Sequence, residues 1–182
     1  HYSFDWMSGS DGFVFSSNYT EDWEYDFRNS EIYSISVNGS NLQQLTDRNG
    51  PDMSAAVSPD GKSIAYLGYE DKVQTYQINN LTIMHIDGSN KRTINIDLDR
   101  NIESLKWSAD GKNLYFMYDN YGNTKIATTN LTGRVRKLID DVGGTSIGRP
   151  YGGGSFSVSS EGEISYTLTC LLYTSPSPRD NR

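Results

Sequence analysis

Cysteine occurs once, at Cys170, and histidine twice, at His1 and His85. A lone cysteine cannot close an intramolecular disulfide, so no disulfide framework organises this chain or reports its compartment. His85 sits inside an alternating run, Leu81-Thr-Ile-Met-His-Ile86, where it reads as a strand residue. That leaves no general base beside a serine, and Ser-His-Asp catalysis within the chain is excluded. Basic residues are also few: 16 Lys and Arg face 23 Asp and Glu, for a net charge of −7. Such a chain is repelled by phosphate backbones and anionic bilayers, which argues against nucleic acid and membrane as partners. No apolar run approaches the roughly 18 residues that span a bilayer, and nothing resembles a secretory h-region.

Aromatic side chains, by contrast, are plentiful, at 12% with thirteen tyrosines. Tyrosine favours strands, and 182 residues suffice for one domain with a sizeable core.

An acidic-Gly pair recurs at Asp11-Gly12, Asp60-Gly61, Asp110-Gly111 and Glu161-Gly162, with glycine spacings of 49, 50 and 51. Two copies belong to a fuller motif, Val57-Ser-Pro-Asp-Gly-Lys62 and Trp107-Ser-Ala-Asp-Gly-Lys112. Each pair precedes an alternating apolar run: Phe13/Phe15, Ile64/Tyr66, Leu114/Phe116 and Ile164/Tyr166. Asp-Gly ahead of such a run signals a hairpin, because glycine accepts the positive φ a tight turn requires. A second turn follows at Asn38-Gly39 and Asp87-Gly88, each 27 residues after the first glycine, and at Thr132-Gly133, after 22. The unit is therefore strand, turn, strand, longer loop, strand, turn, strand. Four strands in roughly 45–50 residues make a propeller blade. An antiparallel sandwich is the competing architecture, but it has no reason to keep two turns at a shared period.

The sequence thus predicts an all-β chain. It is a partial β-propeller with three four-stranded blades, at about 1–48, 49–98 and 99–145, and the start of a fourth at 146–169. Such an arc cannot close, since propellers take about four to eight blades. It is expected to be marginally stable or aggregation-prone through its two open blade faces.

The last residues read differently. Cys170-Leu-Leu-Tyr-Thr-Ser-Pro-Ser-Pro-Arg-Asp180 resembles one translated frame of a transposase sequencing adapter, the alternative being a natural Pro/Ser-rich tail. Residues 170–182 are accordingly set aside as non-native, with the natural protein expected to continue past Thr169.

The Ser-Pro-Asp-Gly-Lys signature resembles that of TolB-like propellers and of the N-terminal propellers of prolyl oligopeptidase-type serine peptidases. Three longer stretches tip the resemblance to the peptidases: Ser58–Tyr69, Trp107–Phe116, and the glycine-rich Val142–Val158, similar to dipeptidyl or acylaminoacyl peptidases. The resemblance implies a C-terminal α/β-hydrolase domain of the same chain carrying the Ser-Asp-His triad, with short peptides as substrates. The propeller would be the gate that restricts entry. A TolB-like, non-enzymatic binding propeller is the alternative. The compartment stays open, a periplasmic or secreted one being favoured slightly over the cytoplasm.

No nucleophile elbow of the form G-x-S-x-G is expected here; Gly153-Gly-Ser-Phe-Ser157 fails at its last position. No metal site is expected either. Asp97-Leu-Asp-Arg-Asn101 opens like a calcium loop but lacks the later glycine and glutamate. No cofactor is implied. The four Asn-x-Ser/Thr sequons, at Asn18, Asn38, Asn80 and Asn130, carry weight only in a eukaryotic secretory setting. Two loops are candidate substrate contacts. In the acidic-aromatic stretch Asn18–Ser30, the carboxylates of Glu21, Asp22 or Glu24 could hold a substrate's free amino group, as some dipeptidyl peptidases do. In Gly148–Gly154, Arg149 could bind a carbonyl or carboxylate beside Tyr151, with glycines admitting close approach. The bland readings are a solvated surface loop and an inter-blade connector.

Overall fold

A computed structural model describes residues 4–146, 149–152 and 154–168, side chains being described outside 144–153. Among the described residues there is no helix. Three four-stranded sheets follow one another along the chain, each in simple antiparallel order. The first holds β1 (Phe4–Trp6), β2 (Gly12–Ser17), β3 (Glu31–Ser36) and β4 (Gln43–Gln44). The second holds β5 (Asp52–Val57), β6 (Ser63–Gly68), β7 (Asn80–His85) and β8 (Arg92–Ile94). The third holds β9 (Ile102–Trp107), β10 (Asn113–Asn120), β11 (Asn123–Asn130) and β12 (Val135–Val142). Two hairpins close the described chain: β13 (Gly144–Ser146) with β14 (Arg149–Gly152), and β15 (Phe156–Val158) with β16 (Ile164–Tyr166).

Alternation in the strands explains why the sheets stack. Successive side chains point to opposite faces, so a strand apolar on both faces is buried between two neighbours. Ile64 and Tyr66 of β6 pack with Met84 against Val14, Ile32 and Leu45 of the first sheet. Ala65 and Leu67, the intervening residues, pack with Ile83 toward Leu105, Leu114 and Phe116 of the third. Met117 and Ile126 continue the pattern onto Phe156, with Val158 and Ile164 packed around it. Each sheet is thus sandwiched side by side with the next, as blades are.

The turns follow the sequence with two differences. Gly61, Gly111 and Gly162 have φ of 70°, 66° and 84°, and each N–H donates to the carbonyl three residues back. Gly12 does not take that role: it opens β2, and the turn lies two residues earlier. Ser10 stands in for the glycine, at φ 57° with its N–H on the Met7 carbonyl. The second difference is the long loop between second and third strands. It is present at 18–30 and 69–79 but shrinks to Tyr121-Gly122 in the third sheet, which explains the shorter spacing of 22.

Strict antiparallel order sends both hairpin turns of every sheet to one end. The long loops and the passages to the next sheet go to the other, here termed the crossover face. Contacts between sheets agree with this: the Asp71 N–H donates to the Asn49 carbonyl, and the Gly50 N–H to Asn29 Oδ1.

Candidate functional site

The crossover face of the first sheet carries the Asn18–Ser30 loop, which its own polar groups hold in shape. Asn18 Oδ1 accepts from the Thr20 N–H at 3.0 Å and the Thr20 hydroxyl at 2.7 Å. Asn18 Nδ2 donates across the loop to the Asp26 carbonyl at 2.7 Å. Between them the N–H groups of Tyr25 and Asp26 share the Asp22 carbonyl, making a single helical turn. Glu21, Asp22 and Glu24 are all exposed on this turn. Trp23, Tyr25 and Phe27 are exposed beside them, at 56%, 87% and 70%.

Below the loop lies a cleft of about 470 Å³ whose lining includes Tyr19, Asn29, Glu31, Tyr33 and Arg48. Tyr19 packs edge-on against Tyr33 with ring centroids 4.9 Å apart. Glu31, the first residue of β3, turns its carboxyl inward, and the Thr46 hydroxyl donates to Glu31 Oε2 at 2.5 Å. The same Thr46 oxygen accepts from the Ile32 N–H at 2.8 Å. One step further, Arg48 pairs with the buried Asp52 at the start of β5. Burial pushes the Glu31 carboxyl up to about 7, against the pull of the Thr46 hydrogen bond. Burial also raises Asp52, with Arg48 opposing it, and lifts Tyr66 to about 12 with help from the Asp52 charge. Two buried carboxyls thus lie at the junction of the first two sheets, Asp52 paired with Arg48 and Glu31 with the Thr46 hydroxyl.

The candidate carboxylates Glu21, Asp22 and Glu24 are brought together on the loop, but none of them lines the cleft. Arg149 and Tyr151 fall on β14, and their side chains lie outside the described residues. Glu31, Thr46, Arg48 and Asp52 were not singled out by sequence reasoning. The one available signal was a carboxylate opening the otherwise apolar and small run Glu31-Ile-Tyr-Ser-Ile-Ser36.

The expectation that the chain holds no G-x-S-x-G string needs correction, because Gly144-Thr-Ser-Ile-Gly148 matches it. The match is not an elbow. Gly144–Ser146 forms β13, paired antiparallel to β14, whereas a nucleophile elbow joins a strand to a helix. A second serine, Ser89, lies near the end of β7, with its hydroxyl 3.5 Å from His85 Nδ1 and 2.6 Å from Asp87 Oδ1. Here the carboxylate engages the serine itself and makes no hydrogen bond to the imidazole. Asn38 and Ser40 make the same 2.6 Å contact in the first sheet with no histidine present, so this is turn chemistry. His85 is exposed and its Nδ1 faces the Asn90 amide at 3.1 Å. No group of three metal-ligating side chains occurs among the described residues, Asp97 and Asp99 included.

Stacked four-stranded antiparallel sheets, each feeding the next, define the class: this is an all-β propeller-type fold. TolB from Acinetobacter baumannii superimposes with a TM-score of 0.61 at 17% identity, covering 78% of this chain and 32% of that one. The acylaminoacyl peptidase of Pyrococcus horikoshii gives 0.57 at 22% identity, covering 78% and 21%.

In sequence, the chain is homologous to part of proteins named dipeptidyl-peptidase 5. The Porphyromonas gingivalis protein is 24% identical over 138 residues, 74% of this chain and 20% of that protein. A probable dipeptidyl-peptidase 5 of Arthroderma benhamiae is 33% identical over 140 residues, 68% of this chain and 19% of that protein. The chain thus spans about a fifth of the length of these relatives. No family model matches it.

Proposed function

We propose that this chain is the substrate-gating propeller segment of a serine peptidase that cleaves short peptides. In this reading the α/β-hydrolase domain lies elsewhere in the same polypeptide. The observation that carries it is the 33% identity to a probable dipeptidyl-peptidase 5 over a segment that makes up 19% of that protein. Among the described residues no carboxylate holds a histidine beside a serine, and in this reading the chemistry lies in the remainder of the parent protein. The propeller contributes steric selection and charge. Glu21, Asp22 and Glu24 offer carboxylates for a substrate's ammonium group, and Arg149 with Tyr151 offers contacts to its carbonyls. A TolB-like binding propeller without catalysis is the second reading, favoured by the 0.61 superposition on TolB.

The test is made on the full-length parent. Dipeptidyl, tripeptidyl and longer chromogenic peptides are hydrolysed at rates that fall with length if the propeller gates entry. Simultaneous replacement of Glu21, Asp22 and Glu24 by the amides raises KM for free-amino substrates and spares N-acetylated ones. A parent sequence without a G-x-S-x-G elbow between a strand and a helix overturns the peptidase reading in favour of the binding propeller.

A further inference from the structure

Asn-Gly occurs twice in the chain, at Asn38-Gly39 and Asn49-Gly50. The first pair forms the turn between β3 and β4, where residues 37–40 are all exposed. Asn38 Oδ1 accepts from the Ser40 N–H at 3.0 Å and from the Ser40 hydroxyl at 2.6 Å. A Cβ on Gly39 would meet nothing within 4 Å, so that side of the backbone is open to solvent. The Gly39 N–H donates to the Ser36 carbonyl at 2.9 Å, and the Ser36 N–H to the Ser40 carbonyl at 3.0 Å. Both bonds sit at the tip of a hairpin whose outer strand, β4, is only Gln43–Gln44, so they open locally without unpacking a sheet.

We propose that Asn38 is a site of non-enzymatic deamidation, with water as the co-reactant, and that the fold accepts the aspartate it yields. The Gly39 nitrogen, once its proton passes to hydroxide, attacks Asn38 Cγ. The new N–C bond closes a five-membered succinimide as the Cγ–Nδ2 bond breaks, and Nδ2 takes a proton from water and leaves as ammonia. Water then opens the ring. Cleavage of the bond from nitrogen to the former Cγ gives aspartate, and cleavage at the Asn38 backbone carbonyl gives isoaspartate. One water is consumed, one ammonia is released, and nothing is oxidised or reduced. The two donors on Oδ1 favour the attack, because that oxygen gathers negative charge in the tetrahedral intermediate. Glycine favours it too, since it rotates freely and puts no side chain in the path.

The second sheet displays how the product fits. In its matching turn Asp87 Oδ1 accepts from the Ser89 N–H at 2.9 Å and the Ser89 hydroxyl at 2.6 Å. Gly88 has φ 83° against 81° at Gly39, and its N–H donates to the His85 carbonyl at 2.9 Å. Aspartate at position 38 therefore keeps both of these acceptor bonds and adds one negative charge to the hairpin end. Isoaspartate instead lengthens the main chain between Ser36 and Ser40 and breaks their pairing. Two other asparagines separate the causes. Asn49 has the same following glycine, but Gly50 is buried, its N–H is held by Asn29 Oδ1 at 3.1 Å, and a Cβ there would run into the Tyr69 carbonyl. Asn130 Oδ1 accepts from the Thr132 N–H and hydroxyl at 3.1 and 2.8 Å as Asn38 does from Ser40, but the bulky Leu131 follows it.

The test is prolonged incubation of the full-length parent at mildly alkaline pH, folded and in guanidinium chloride. Peptide mapping by mass spectrometry reads a gain of about 1 Da at each converted asparagine. In the folded protein Asn38 is expected to convert about tenfold or more faster than Asn49 and Asn130, since its amide opens most readily. In denaturant Asn49 draws level with Asn38, because the dipeptide is the same, while Asn130 stays slow. The Asn38→Asp variant is expected to melt at the same denaturant midpoint as the unmodified protein. Asn49 keeping pace with Asn38 in the folded protein, no gain at Asn38, or a lowered midpoint for Asn38→Asp overturns the proposal.

Discussion

Thr46 binds both ends of one residue boundary: its hydroxyl donates to Glu31 Oε2 at 2.5 Å and accepts from the Ile32 N–H at 2.8 Å. This ties the strand that leaves the Asn18–Ser30 loop to the passage leading into the second sheet. Glu31 is 5% exposed, and this burial disfavours its charged form more than the Thr46 hydrogen bond favours it.

Stability is accordingly expected to fall as pH rises toward neutrality. Glu31 has a folded pKa of about 7 against an ordinary 4.5, so the unfolded chain loses its proton first. The contribution is fully present below about 4.5 and is lost as pH climbs through about 7. A shift of this size corresponds to ~3 kcal/mol across that window. Urea melts at several pH values should show the decline, and Glu31→Gln, which still accepts from Thr46, should flatten it. An unchanged pH profile in that variant would remove Glu31 as the cause.

Carboxylates at the hairpin turns titrate with the opposite sign. Asp60 is held low by the Ser58 hydroxyl and the Lys62 N–H, and Asp110 by Ser108 and Lys112. Their contribution is present above the ordinary aspartate range and is lost as pH drops through the depressed values. Stability should therefore peak on the acid side of neutrality, with Asp60→Asn and Asp110→Asn reducing only the acid limb. Thermal melts from pH 3 to 8 are the measurement.

These two groups also show how far the sequence was legible. Ser58-Pro-Asp-Gly and Ser108-Ala-Asp-Gly announced their turns because every bond that shapes them is local, from Ser58 Oγ to Asp60 at 2.6 Å and from Ser108 Oγ to Asp110 at 2.6 Å. The first unit misled for the same reason. Asp11-Gly12 has the right composition, but β2 starts at Gly12, and only pairing of β1 with β2 fixes the turn at Ser10. Glu31 meets Thr46 only because β3 pairs with the strand that follows it, and Arg48 meets Asp52 only because the passage between the sheets folds back within four residues. Nothing in strand periodicity reports a contact of that kind.

Glycine substitutions separate crowding from backbone strain. A Cβ at Gly68 would run into Arg48 Nη2, Asp52 Oδ1 and the Pro51 carbonyl, breaking up the buried pair. Gly68→Ala is expected to cost about 2–4 kcal/mol, the range for disturbing a buried ion pair or overpacking a core. At Gly39 a Cβ meets nothing within 4 Å, but φ is +81°. Gly39→Ala should cost only about 1 kcal/mol, from the strained φ alone. Equal losses in paired denaturant melts would show that the Gly68 contacts do not matter.

The Asn18 side chain is the last expectation, because it bears on whether the loop is a preformed site. Its Oδ1 accepts two bonds from Thr20 and its Nδ2 donates to the Asp26 carbonyl, so one side chain fixes both arms around Glu21, Asp22 and Glu24. Asn18→Ala removes all three bonds, each worth about 1 kcal/mol net, from a loop whose other anchors are few. The turn donors Tyr25 and Asp26, both bonded to the Asp22 carbonyl, should then exchange their amide protons faster, about tenfold or more. Global stability should move much less, because the loop lies outside the three packed interfaces. If exchange at Tyr25 and Asp26 is unaltered, the helical turn holds itself. The carboxylates would then be positioned without Asn18.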